Sequence, residues 1–232
     1  MHVKTLTKDQ FKTFAQGLIA SGRVVGPRRK GGKYAFGDVA DASELAMDYD
    51  VTLSSPRSFF QPPKETLFEF EVKANPKVEA KFDAEPFVLV GVHTYDLKAL
   101  NQMDKIWEAD HADKHYLSRR GAATVVALEP VKASKHSFWS SMDASLANGG
   151  FDLLMTDLGD RYVIEVGTEK GAALLAKFAP KAADASKADL EAREKSREKL
   201  SSMCGENRKV KATVSEITPL MKKSYEHPVW KE

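Results

Sequence analysis

The sequence predicts an α/β protein: a mixed sheet with a central βαβ unit, a β-hairpin and a helical, charged C-terminal part. Three observations predict it. Residues 87–92, FVLVGV, are a continuous apolar run of the kind a fully buried parallel strand shows. Helix-like spacing follows, and residues 123–128 give a second buried run, so strand, helix and strand repeat as in a βαβ unit. Within residues 151–166, FDLLMTDL and RYVIEV alternate about Gly159-Asp160, which reads as a hairpin.

The remaining elements follow in order. Thr7 and Gln10 make a capping-box pattern, and Phe11, Phe14, Ala15, Leu18 and Ile19 share one helical face. Residues 7–21 therefore read as a helix that Gly22 stops. Residues 23–39 read as a short strand pair around the loop GPRRKGG, and residues 45–53 match neither period. Residues 55–72, SPRSFFQPPKETLFEFEV, start extended between prolines and end in a strand-like alternation from Leu67 to Val72. Asp96 is expected to cap a helix carrying Leu97, Leu100, Met103, Ile106 and Trp107. Residues 111–120 and 167–178 read as further helices.

Residues 181–200 predict a charged, alanine-rich helix with Asp189–Arg193 and Glu191–Lys195 at i,i+4, pairs worth a few tenths of a kcal/mol each. Its apolar stripe is thin, which predicts light packing or contact with a partner. Gly205 should end it, and residues 210–225 read as a last helix broken near Pro219. The expected division is an α/β core domain over residues 1–178 and a helical excursion with the C-terminal segment over 179–232.

The totals narrow the classes. A chain of 232 residues can bury a real core as one large domain or two small ones. Its 35 basic and 33 acidic residues leave a net charge of +2, so nothing global draws it to nucleic acid or an anionic membrane. No apolar run approaches the ~20 residues of a membrane span. The N-terminus shows no apolar secretion core. The one cysteine, Cys204, can form no internal disulfide and cannot hold an iron–sulfur cluster alone. A reducing cytoplasm is the expected compartment.

Four features raise chemistry. GPRRKGGK, residues 26–33, nearly matches a phosphate loop, but its lysine falls one place late. Tyr34 also stands where a hydroxyl should meet magnesium, and a strand follows instead of a helix, so a solvated basic hairpin explains it better. His111 and His115, with Asp110 and Asp113, have the spacing of two zinc ligands on a helix. They lack a third ligand, and an exposed polar helix accounts for them. Cys204 follows a helix end, where the dipole disfavours a thiolate. Finally, His93, Tyr95 and Asp96 stand at the exit of the first buried strand, where open α/β sheets bind ligands. The loop after the second strand carries His136, Ser137, Trp139 and Ser140 to the same edge. His93, Asp96 and His136 could form an acid–base group there. The plainer alternative makes Asp96 a cap and His93 and Tyr95 ordinary junction residues.

The same stretches resemble a family. SPRSFFQPPKETLFEFE, GV-x-x-x-DLKAL-x-x-x-D (residues 91–104), YLSRR (116–120), FDLLMTDLGDRYVIEVGTEKG (151–171) and HPVW (227–230) are similar to the N-terminal region of beta subunits of soluble nickel–iron hydrogenases (sulfhydrogenases). They also resemble the A subunit of anaerobic sulfite reductases. The resemblance covers nearly the whole length and implies an electron-transfer protein whose cysteines ligate 4Fe-4S clusters. It implies cysteines after the first strand, after the second strand and in a Cys-Phe-Cys segment shortly beyond. Tyr95 stands in the first of these positions, and Ser137 and Trp139 in the last. The second-strand exit, Leu128-Glu129-Pro130, has none. After HPVW the family continues into a ferredoxin-like region, which is where this sequence stops.

The expected function is thus a non-catalytic accessory or docking subunit of an iron–sulfur or flavin redox complex. The chain would hold no cofactor or metal of its own, with 4Fe-4S clusters or FAD in a partner or in a missing C-terminal domain. Its partners would be protein subunits, not nucleic acid. Two alternatives stand beside this. The chain could be a fragment of a longer electron-transfer subunit whose ferredoxin domain is absent. The former cluster pocket could also serve a small molecule or a hydrolytic reaction through His93, Asp96 and His136.

Overall fold

The computed structural model describes residues 2–72, 76–82, 84–204 and 211–231. In chain order the strands and helices are β1 (Val3–Thr7), α1 (Lys8–Ser21), β2 (Arg23–Lys30), β3 (Lys33–Asp38), β4 (Phe68–Phe70), β5 (Val78–Ala80), β6 (Phe87–His93) and α2 (Thr94–Glu108). Then come α3 (Lys114–Ala122), β7 (Ala123–Leu128), β8 (Leu153–Asp157), β9 (Arg161–Val166), α4 (Glu169–Phe178), β10 (Ala183–Asp184), α5 (Lys187–Ser202) and α6 (Val214–Lys223).

The main sheet has the order β10-β1-β9-β8-β7-β6-β2-β3. β2, β6, β7 and β8 are parallel neighbours at its centre, and antiparallel strands flank them on both sides. This is the mixed α/β sheet with a βαβ unit and hairpin that the sequence predicts. α1 and α4 cover one face, where Phe14, Leu18 and Leu175 meet Val90, Val126 and Ile164. α2 and α3 cover the other, where Leu97, Leu100 and Tyr116 meet Leu89, Val92 and Val125. None of the described helices is long and apolar enough to cross a membrane.

One irregularity shapes the central strand. Gly91 has φ +79 and sits in a bulge where the β6–β7 register shifts between Val90 and Val92. Val90 belongs to the α1 side and Val92 to the α2 side, because the extra residue resets the alternation. A Cβ on Gly91 would also come within 3.0 Å of the Pro27 ring. Glycine is therefore required there twice over.

Several expectations need correction. Residues 26–30 are not loop but the second half of β2, and only Gly31-Gly32, with φ 54 and 76, make the turn. Pro27 is tolerated because β2 pairs with β6 only over Arg23–Val25, leaving an open edge beyond. β1 was not visible in the sequence, since its polar alternation buries only Leu6. β4 is three residues long and pairs with β5 in a separate, exposed two-stranded sheet. Ile106 is 67% exposed, although it carries the helical spacing of the buried face. α3 starts at Lys114, so His111 precedes it and shares no helix face with His115. α5 starts at Lys187, and α6 runs through Pro219, its start held by a Thr213–Glu216 capping box. The expected stop at Gly205 lies outside the described residues.

Candidate functional site

The carboxyl ends of β6 and β7 form the edge where the sequence places a candidate site, and the chain fills it with rings. β6 ends in His93, which is fully buried. Tyr49 stacks on its imidazole with centroids 3.8 Å apart and planes 5° apart. The Tyr49 hydroxyl donates to the Gly91 carbonyl at 2.8 Å, so the bulge positions this ring as well. Tyr95 approaches His93 edge-on, with its oxygen 2.8 Å from Nδ1. That hydroxyl donates to the Asp50 carbonyl at 2.9 Å, so the Nδ1–H of His93 donates to Tyr95. The tautomer is fixed by this chain of bonds, and Nε2 is left as a buried acceptor with no partner among the described residues.

Burial sets the electrostatics. It pulls the His93 imidazole down to a pKa of about 3, which keeps the ring neutral. It pushes the phenols of Tyr95 and Tyr49 well above their usual range. Asp96 is raised to about 6 by desolvation, against a hydrogen bond from the Ser55 hydroxyl at 3.1 Å. Asp96 is not the helix cap. α2 starts at Thr94 with His93 in the cap position, and Asp96 sits in the first turn, where a carboxylate favours the helix dipole. The His93 side chain makes no capping hydrogen bond, because its ring is stacked on Tyr49 and held through Nδ1 by Tyr95.

The connection from β7 to β8 brings the second half of the site. Its short 3₁₀ turn, Trp139–Met142, places Trp139 parallel to Tyr95, with centroids 5.1 Å apart and planes at 11°. Three side chains at i, i+4 and i+7 of α2 hold the connection. Thr94 donates to the carbonyls of Ala144 and Ser145, Lys98 to those of Met142 and Asp143, and Asn101 to that of Gly149. Gly150 is needed at the end of this row, since a Cβ there would overlap the Asn101 side chain. Trp139 is 7% exposed and packs with Ala144, Tyr95, Met203 and Cys204. Its indole nitrogen has no hydrogen-bond partner among the described residues.

β7 ends in charges. Glu129 is 2% exposed and accepts from Thr156 at 2.7 Å and from Arg197 of α5 at 2.6 Å. Burial raises its carboxyl, and Arg197 and Thr156 offset part of that rise. Arg193 and Arg197 also reach Glu165 of β9, at 3.4 and 3.3 Å. α5 therefore docks by two half-buried arginines. Its expected i,i+4 partners are diverted, because Asp189 closes a capping box with Ser186 and pairs with Arg161. The docked helix ends by delivering Met203 and Cys204 onto Trp139.

The predicted residues separate accordingly. His93, Tyr95 and Trp139 come together, and Asp96 lies beside them through Ser55. Ser137 bonds Ser134, at 2.8 Å between hydroxyls. His136 is exposed, and its imidazole makes no hydrogen bond or ring contact with the described residues. His115 faces the Phe82 ring, 4.8 Å away. No group of three His, Cys, Asp or Glu side chains among the described residues is arranged to hold a metal. Tyr49, Asp50 and Glu129 were missed by sequence reasoning. A charged residue directly after a fully buried strand was the one signal that pointed to Glu129.

No protein-family model matches this chain. It is 32% identical over 171 residues to the sulfhydrogenase 2 subunit beta of Pyrococcus furiosus, a match covering 74% of this chain and 50% of that relative. The chain thus spans about half the length of the relative it matches. Over the matched stretch, it belongs to the family of hydrogenase beta subunits.

Proposed function

We propose that this chain is a non-catalytic docking subunit of a redox complex and carries no iron–sulfur cluster of its own. One observation carries the reading: the Tyr95 and Trp139 rings stack face to face at the strand exit, in positions where the family resemblance implies thiolates. A 4Fe-4S cluster takes four thiolates. The residue set does not fit that need, because the relevant side chains are a phenol, a hydroxyl and an indole, and the chain has a single cysteine. Interiors are close-packed, so rings that occupy such a volume keep the edge solid without metal. The printed name of the relative, a subunit of a sulfhydrogenase, supports a place beside redox partners.

The rival use of the edge as a catalytic site finds less support. His93 is buried and neutral, while His136 is exposed and apart from it. His93, Asp96 and His136 line none of the described clefts, although one of about 390 Å³ opens beside Arg28, Arg29 and Asp48 at this edge. One of about 790 Å³, between Arg120, Asp152 and Lys170, is at the opposite end of the sheet. Iron analysis of the chain purified without oxygen tests the proposal. We expect far less than one iron per chain, and stoichiometric iron with sulfide would refute it.

A further inference from the structure

We infer that the strand-exit edge is a docking surface for an acidic protein, built from the basic β2–β3 tip and the connection after β7. This rests on the docking-subunit reading and names the chemistry of its partner. The two segments are physically joined. The Arg29 guanidinium and the Lys132 ammonium lie 5.3 and 5.7 Å from the centroid of the same Tyr34 ring. Both also reach the Asp48 carboxylate, at 3.3 and 4.0 Å. Tyr34 in turn lies 6.2 Å from Tyr49, which stacks on His93, so the rim sits directly on the buried ring cluster.

The charge on this rim is not internally balanced. Asp48 answers Arg29 and Lys132, and Glu44 answers Arg28. Lys30, Lys33 and Lys135 are exposed and have no ion-pair partner among the described residues. The connection that carries Lys132 and Lys135 also exposes apolar side chains, Val131 at 37%, Phe138 at 53% and Met142 at 53%. Apolar contacts with a charged rim are the anatomy of a protein interface. Unpaired lysines around them complement carboxylates and steer association. The exposed Val131, Phe138 and Met142 give a phosphate backbone nothing to pair with, and the net charge of +2 gives nucleic acid no wider field. An acidic protein is the occupant that fits both features.

The test uses a purified small acidic ferredoxin as probe, with basic cytochrome c and a DNA duplex as comparisons. Binding to the full chain is measured by calorimetry at low salt and at ~0.3 M salt, where the Debye length is only a few ångströms. We expect ferredoxin to bind at low salt and to lose at least tenfold in affinity at high salt. The K30E/K33E/K135E variant should lose about as much, while K105E/K114E, on α2 and α3, should bind as the parent does. Circular dichroism confirms that both variants fold. No binding of ferredoxin at low salt, equal loss in both variants, or DNA or cytochrome binding as tight as ferredoxin would each overturn the inference. Iron content is read separately, so a metal-containing chain would refute the cluster-free reading without touching this result.

Discussion

Two neighbouring parallel strands of this sheet end in opposite chemistry. β6 ends in rings: His93 lies between Tyr49 and Tyr95, and Trp139 covers Tyr95. β7 ends in charges: Glu129 is held by Thr156 and Arg197, with Arg193 and Glu165 alongside. The ring end makes mostly nonpolar contact and leaves a few buried nitrogens without partners among the described residues. The charged end is satisfied group by group. The difference teaches how each end tolerates change. Stacked rings degrade gradually when trimmed, whereas a buried ion network fails as a unit when one partner is removed. The two ends also meet, because the helix fixed by Arg197 places Met203 and Cys204 on Trp139.

The comparison can be broken most sharply at the charged end. Arg197→Met leaves the buried Glu129 carboxylate without its ion pair and with Thr156 as its hydrogen-bond donor, which should cost about 3 kcal/mol or more in urea unfolding. The double variant R197M/E129Q should recover much of that loss. A double variant as unstable as the single one would show that the network is not the cause. Trp139→Ala at the ring end should cost about 3 kcal/mol, since it removes a large buried side chain from a small cluster. Hydrogen exchange should then rise over residues 196–204 along with the connection. Tyr95→Phe should cost less, about 1–2 kcal/mol, for the lost bonds to the Asp50 carbonyl and to His93. It should also free the His93 tautomer, visible in its ring nitrogen shifts.

The smallest effect is in pH, and there two neighbours oppose each other. The folded pKa of His93 is depressed to about 3 from an ordinary 6.5. Its contribution to stability is present above about 6.5 and is lost as pH falls toward 3. The folded pKa of Asp96 is raised to about 6 from 3.8. Its contribution is present below 3.8 and is lost as pH rises through 6. Between those limits the slopes have opposite sign. Asp96→Asn should therefore steepen the rise of stability from pH 4 to 6, and a flatter profile in that variant would contradict the assignment.

How much of this the sequence disclosed follows from what periodicity can register. β6 and β7 were legible as short, largely apolar runs, and α2 by the helical spacing of Leu97 and Leu100. The exit of β6 was legible as a candidate site, since ligands bind beyond strand ends in such sheets. Which side chains meet there was not legible. Tyr49 and Asp50 come from a stretch that matches neither period, and Trp139 is placed by main-chain bonds to α2. β1 escaped because its pairing with β9 and β10 uses backbone groups and buries a single leucine. The docking of α5 escaped for a different reason. Arg193 and Arg197 continue the inward stripe of Leu190 and Leu200, but a pattern of apolar residues counts arginines as surface. Their partners lie in β9 and just after β7, far away in the chain.

The central claim is that rings and not iron fill the end of β6. Anaerobic incubation with ferrous iron and sulfide, followed by desalting and visible absorption, tests it most directly. The stacked Tyr95 and Trp139 predict no protein-bound absorbance around 400 nm, the region of thiolate-ligated clusters. A stable, stoichiometric band there would contradict the account.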